Sequence, residues 1–441
     1  MWPRRGRSPS GRCGADRPRR PGAIGPVAYH GQVPLTRRQI YRRRRITVFG
    51  GAALVLGSLF YLPMTLLAPL SPAAAQVLPY SAPAATAPTL AWPSYGASAI
   101  GAIGYPDVLL TSGDQQPRSI ASISKIVTSL VVLEKKPLSV GEEGPTLTMT
   151  AKDVDYYHDA LKLNGKVEPV RPGLRLTQLQ LLKLVLVSSA NNYAETLVSW
   201  AFGTPAAFLS ATRAWLADHG LDHTTMHDPS GLDPRNTSTA SDLVALGKLA
   251  LANPVVKGIV AAKTATIPGI GQIENTNELL GIDGVEGIKT GTLDEAGACL
   301  LFAAETKVGT STVTVVGVIL GGADHPSLNR DVRRLLASAE AGFHEVTLAE
   351  KGQPFASYTT VWGGQAQAVA TGGKKLIVWG DTPVSAAVTT TPVRFDSADA
   401  KVGEVTFTVG GTEVSVPLEL DAALADPGPL WRLANPFALI G

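Results

Sequence analysis

In the stretch ASISKIVTSLVVLEKK, residues 121–136, Ser122 and Lys125 stand three apart at the head of an apolar helix pattern. Positions i and i+3 are neighbours on a helix, so the lysine amine can reach the serine hydroxyl. Serine is a poor nucleophile until a base removes its proton. Lysine becomes that base where burial or a second cation lowers its pKa. A helix N-terminus also favours negative charge developing on the oxygen. The other reading is a capping serine beside a surface lysine, and the pair alone does not decide between them.

Two more patterns bear on the choice. Ser189-Ala190-Asn191, within SSANNYAE, falls at the break between two further helix patterns. A serine and an asparagine there could project into a cleft, one relaying protons and one holding an amide; simple helix capping, for which Asn192 is suited, is the alternative. Lys289-Thr290-Gly291, followed by Thr292 in GIKTGTLDEAGACLLFAA, opens a sheet strand. The lysine supplies positive charge, the threonines supply hydroxyls for a carboxylate, and the glycine lets a ligand lie against the backbone.

Ser-x-x-Lys, Ser-x-Asn and Lys-Thr-Gly, in that order, resemble the signature of the penicillin-binding proteins and serine β-lactamases. The spacings are 67 residues from Ser122 to Ser189 and 100 from Ser189 to Lys289. IASISKIVTSLVVLE, HDPSGLDPRNTSTASDL and NTNELLGIDGVEGIKTGT further resemble the low-molecular-weight D-alanyl-D-alanine carboxypeptidases. The likeness covers roughly 95–342 and, through a trailing β-rich part, most of the rest.

That resemblance implies an activity and a role for each position. Ser122 would attack the carbonyl between two D-alanines and become acylated, with Lys125 as general base. Ser189 would pass a proton to the leaving amine, and Asn191 would hold the acyl-side amide. Lys289 would keep Lys125 neutral and draw in the substrate carboxylate, which Thr290 and Thr292 would bond. Gly291 would let the substrate lie close, and the backbone N–H groups of Ser122 and Thr292 would form the oxyanion hole. The partners implied are the peptidoglycan stem pentapeptide and β-lactam inhibitors, with no cofactor, no metal and no nucleic acid. Ala190 departs from the glycine common in the middle motif. Relatives often place a basic residue beside the carboxylate pocket after the sheet strand, and Arg330 is the nearest candidate. Many relatives also carry a C-terminal amphipathic anchor, for which PLWRLANPFALIG is too short and is broken by proline.

The implied fold is α/β (α+β), a DD-peptidase/β-lactamase-like domain with a central antiparallel sheet flanked by helices, followed by a small all-β domain. The residue patterns fit it. ASAIGAI and DVLLTS read as two strands joined at Gly104 to Pro106. The opening helix ends before Pro137, and TQLQLLKLVLVSS is a second helix with Thr177 and Gln180 spaced as a capping box. NNYAETLVSWAF is a third, with Asn192 and Glu195 in the same spacing. GACLLFAAE and STVTVVGVILGG read as adjacent buried strands. Beyond about 343, short alternating strands take over, and EVTFTV–Gly410–Gly411–TEVSVPLEL is a hairpin with Val405, Phe407 and Val409 on one face.

Charge divides the chain. Its formal net charge is +3, yet residues 1–45 hold 13 Arg and one Asp, leaving 26 basic and 35 acidic residues beyond them, a net of −9. The next 25 residues, 46–70, carry no charge. An arginine block before such a run fits a bilayer span with its N-terminus inside. Ala73 and Ala75 just after it resemble a cleavage signal, so a removed signal peptide is the alternative to a retained anchor. Either sends the remainder out of the cytoplasm. The expected organisation is a basic tail (1–45), an anchor (46–70), an Ala/Pro-rich linker (71–90), a catalytic domain (91–342) and a β-rich domain (343–441).

Cys13 and Cys299 fall on opposite sides of that span, so no internal disulfide is expected. His219, His223 and His227 follow an i, i+4, i+8 pattern, but Gly220 breaks any helix there and they read as loop histidines. Among rival functions, a class A β-lactamase needs a glutamate between the second and third motifs to drive deacylation. None occurs between Glu195 and Glu274. A catalytically silent wall-binding scaffold would not need Ser122, Lys125, Ser189 and Lys289 together. An endopeptidase acting on cross-links would use the same site.

Overall fold

The two nearly uninterrupted apolar runs are neighbours at the centre of a five-stranded antiparallel sheet. Its order is Val285–Leu293, Gly297–Val308, Ser311–Gly322, Ala97–Ala102, Tyr105–Gly113. Side chains alternate between faces along a strand. Leu301, Ala303, Val316 and Val318 meet one helical layer, whereas Leu300, Phe302, Ala304 and Val315 meet another. Helices Ser124–Lys135, Gln178–Leu186, Asn191–Phe202 and Ala240–Ala252 contribute to the first layer. Helix His325–Glu340 forms the second through Leu328, Val332, Leu335 and Leu336, one stripe at helical spacing. Burying each such side chain stabilises by about 1.5–3 kcal/mol.

These coordinates come from a computed structural model describing residues 36–82 and 86–439, so most of the basic tail, with Cys13, lies outside the described residues. The described residues divide into two compact units, one within 71–426 and one made of 36–70 with 427–439. In the second, helix Arg37–Leu66 has a mean hydropathy of 1.8 over its most apolar window, none of it buried. At 1.5 Å per residue its 30 residues run roughly 45 Å, enough to cross a bilayer. It starts nine residues earlier than the apolar run, because arginine favours a helix and Thr36 caps it with Gln39. It also continues through Pro63 to Leu66. The C-terminal helix Gly428–Ala434 packs on its far end: Tyr61 Oη donates to Leu433 O (2.7 Å) and Arg432 Nη1 to Ala68 O (2.6 Å). Residues 427–439 therefore group with this helix rather than with the β-rich part expected to run to the end.

Residues 71–90 also differ from an extended linker. Ala75–Val77 is the edge strand of a six-stranded antiparallel sheet, pairing with Pro354–Thr359 through Ala75↔Tyr358. Ala75, and Tyr80 just beyond the strand, pack on a separate core, where the Tyr80 ring lies 5.3 Å from Phe407. Small residues suit a strand squeezed beside another, which composition alone reads as flexibility. The hairpin Lys401–Val409/Thr412–Leu420 lies in the same sheet, with Val405, Phe407 and Val409 buried on one face as its alternation predicts.

Phe302 faces Gly317 across two central strands, where a Cβ would sit 2.4 Å from the ring tip. The ring fills space that the glycine leaves. Phe302→Ala should cost about 3–5 kcal/mol of unfolding free energy, read from urea denaturation of the chain; an unchanged midpoint would contradict this packing.

Candidate active site

Ser122 sits on a single 3₁₀ turn, Ala121–Ile123, immediately before helix Ser124–Lys135. Ala121 adopts φ +45°, the left-handed region that a side chain rarely enters. Neighbours hold it there. Ser124 Oγ donates to Ala121 O (2.7 Å) and accepts from Asn236 Nδ2 (3.0 Å). Two glycines come close enough to exclude any side chain: a Cβ on Gly231 would lie 2.0 Å from Ala121 O, and one on Gly291 2.8 Å from Ile120 O. The serine thus stands on a backbone corner wedged between the third-motif strand and the loop around Gly231.

Lys125, one turn on, is fully buried. An ammonium has three donors, and all three find acceptors: Ser122 Oγ at 2.8 Å, Asn191 Oδ1 at 2.5 Å and Ser230 O at 2.5 Å. Desolvation lowers its pKa to about 7, and the charge of Lys166 works in the same direction against Asp228 and Glu195. Near neutral pH a large share of it is free amine, a base in contact with the hydroxyl.

Ser189 occupies the break between helices Gln178–Leu186 and Asn191–Phe202, in the left-handed region at φ +65°. Asn191 opens the second helix, and its N–H donates to Lys166 O (2.7 Å). Asn192 does not cap that helix: it lies inside it, its side chain paired with the Glu168 backbone at 3.1–3.2 Å. Lys289 and Thr290 lie in the middle of strand Val285–Leu293 rather than at its start. Buried Lys289 donates to Thr290 O (3.1 Å) and Thr276 Oγ1 (3.4 Å). Its pKa is held well below the usual lysine value by burial, with Lys125 and Lys166 adding repulsion.

The three motifs meet. Ser122, Ser189, Asn191, Thr290, Gly291 and Thr292 line one cleft of about 700 Å³. Lys125 and Lys289 lie beneath its floor, within hydrogen-bond reach of residues that line it. Arg330 is exposed and is not among the lining residues. His325 is, at the head of helix His325–Glu340, with Nε2 2.7 Å from Thr292 Oγ1.

Several site residues escaped sequence reasoning. Thr276 bonds Thr290 Oγ1 at 2.5 Å. Asp228 organises the HDPSGLD loop: its carboxylate accepts from the N–H of Ser230 and Gly231 (2.5 Å each) and of Asp233, which presents Ser230 O to Lys125. That aspartate with a serine and glycine two and three on was the available signal, a side-chain turn. Nothing in the sequence pointed to His325. Of the histidines read as loop residues, His219 stacks on Trp215 with ring centres 4.2 Å apart. Cys299 is a buried thiol pushed up to about 11 by desolvation.

A serine in contact with a buried amine, beside hydroxyls and a second buried lysine, is the equipment of a serine peptidase working through an acyl-enzyme. Residues 105–323 match the family described as D-alanyl-D-alanine carboxypeptidase. The chain is 28% identical over 257 residues to the D-alanyl-D-alanine endopeptidase of Escherichia coli K12, covering 55% of this chain and 76% of that one. It is 26% identical over 262 residues to D-alanyl-D-alanine carboxypeptidase DacA of the same organism, covering 58% and 63%. A solved variant of the Streptomyces K15 DD-transpeptidase superposes with a TM-score of 0.50 at 28% identity, over 57% of this chain and 98% of that one. Penicillin binding protein 5 from Haemophilus influenzae, 19% identical with a TM-score of 0.54, covers 79% and 100% and shares the fold.

Gly231 and Gly220 both have positive φ, +83° and +66°, but only Gly231 faces backbone; Gly220 faces open space. Gly231→Ala should therefore destabilise the chain by at least about 1–3 kcal/mol more than Gly220→Ala in urea denaturation. Equal costs would mean that the corner beneath Ser122 is not tightly enclosed.

Proposed function

We propose that the chain is a membrane-tethered serine D,D-peptidase that removes the terminal D-alanine from peptidoglycan stem pentapeptides and is acylated by β-lactams. The observation that carries this reading is the fully buried Lys125, 2.8 Å from Ser122 Oγ with its pKa lowered to about 7.

Lys125 takes the Ser122 proton as Oγ attacks the carbonyl between the two D-alanines. Oxyanion charge falls on the backbone N–H groups of Ser122 and Thr292, the kind of donor such charge requires. Ser189 carries the proton to the departing amine, the C–N bond breaks, and D-alanine leaves. Asn191 holds the acyl-side amide. Lys289, Thr290 and Thr292 hold the leaving carboxylate, and Gly291 lets their strand lie against the turn that carries Ser122. Water then attacks the ester with Lys125 again as base, releasing the shortened peptide and restoring Ser122.

Helix Arg37–Leu66 would cross the bilayer with its arginines inside, leaving residues 91–342 as the catalytic domain on the outer side. The β-rich residues that follow carry no catalytic cluster, which suits a spacing or contact role. A second reading, cleavage of cross-links, draws support from the likeness to a protein named an endopeptidase. It uses the same steps on a larger leaving group.

Labelling with a fluorescent penicillin and release of D-alanine from a D-Ala-D-Ala peptide test this together. Ser122→Ala should abolish labelling and cut hydrolysis by about 10⁴-fold or more. Lys125→Ala should slow acylation by roughly 10²–10⁴-fold. Undiminished labelling of Ser122→Ala would refute the nucleophile. Fast turnover of the penicillin would favour a β-lactamase, and labelling without D-alanine release would favour a wall-binding role.

A further inference from the structure

We propose that His325 sets how strongly this cleft demands a free carboxylate on the leaving-group side, and that it does so through its own protonation. The inference rests on the D,D-peptidase reading and concerns a choice that reading leaves open, between leaving groups that end in a free acid and leaving groups that do not.

The placement is specific. Asp324 caps helix His325–Glu340, its carboxylate accepting from the Ser327 N–H at 2.7 Å, so the first helical residue is fixed against the end of the third-motif strand. There His325 Nε2 meets Thr292 Oγ1 at 2.7 Å, and both residues line the cleft beside Thr290 and Gly291. No arginine lines the cleft among the described residues. The end that would receive the leaving group therefore offers hydroxyls, Lys289 beneath the floor and one imidazole, with the carboxylates of Glu278, Asp294 and Glu295 also on the lining.

An imidazole differs from a guanidinium because its charge is conditional. Burial lowers the His325 pKa below its usual value, and Lys289 pushes the same way, while Glu278 and Asp324 oppose them. Asp294 and Glu295, from the turn after the strand, are the other acidic groups lining this end. In the unliganded cleft at neutral pH the ring is mostly neutral. Its Nε2 can then donate to Thr292 or accept from it, according to tautomer, and adds no net charge for a carboxylate. A neutral ring tolerates an amide in that place as well as an acid. Once protonated, both ring nitrogens donate and the pocket gains a cation, which favours a carboxylate by a charge-assisted hydrogen bond. Free-acid substrates should thus gain over amides as the pH falls.

The test compares two peptides that differ only at the C-terminus, a D-Ala-D-Ala free acid and its C-terminal amide. Their kcat/KM values are measured from pH 5.5 to 8.5 on the full chain and on H325Q and H325R. The acid-to-amide ratio cancels the protonation of Lys125, which affects both peptides alike. In the unaltered chain the ratio should climb roughly tenfold as the ring takes up its proton. H325Q should flatten that climb while retaining Lys289, which separates the two cations, and H325R should hold the ratio high across the range. Thermal melts of each variant confirm folding. A climb that persists undiminished in H325Q, or a flat ratio in the unaltered chain, overturns the role of His325. If the unaltered chain cleaves neither peptide, the D,D-peptidase reading fails, and this inference fails with it.

Discussion

A lysine removed from water beside a serine is the contact on which the rest of the architecture converges. Burying an ammonium is unfavourable unless its donors are met or its proton leaves. Lys125 lies between these outcomes. Three acceptors hold it in place, drawn from the 3₁₀ turn, the helix after the second motif and the Asp228 loop. Burial, with the charge of Lys166, nevertheless draws the pKa to about 7. Firm hydrogen bonds fix the position of the amine, while desolvation weakens it as a base but leaves much of it neutral, and so available to take a proton, near pH 7.

Much of the fold serves that enclosure. The central sheet sets the third-motif strand against the turn carrying Ser122, and the glycines at 231 and 291 allow backbones to meet where any side chain would intrude. Left-handed conformations at Ala121 and Ser189 concentrate strain at the two serines of the site. Such strain persists only where the surroundings fix it. Here those surroundings are a core of nearly all the helices on one face of the sheet.

The sequence made some of this legible and hid the rest for identifiable reasons. Elements with a strong local signal were readable: the Thr177 capping box, the paired apolar strands and the Gly410–Gly411 hairpin all occur at the expected residues. Motif residues were readable because their types and order are distinctive. What stayed hidden depends on tertiary approach. The Ala75–Val77 strand has no alternation to betray it and forms only because Pro354–Thr359 lies alongside. Thr276 and His325 carry no signal at their own positions, and Ser230 shows only as part of the Asp228 turn. They matter through contacts with residues distant in sequence, 14, 33 and 105 positions away. The imidazole that lines the cleft, His325, stands five positions before the arginine that proximity in sequence suggested.

The most direct test follows the rate of penicillin acylation of Ser122 against pH in the unaltered chain, by stopped-flow on the full-length protein. If Lys125 must be neutral to accept the serine proton, the rate should rise with pH through a midpoint near 7 and then level off, since the amine is free above its lowered pKa. A rate still climbing toward pH 10, the range of an ordinary solvated lysine, would contradict the account.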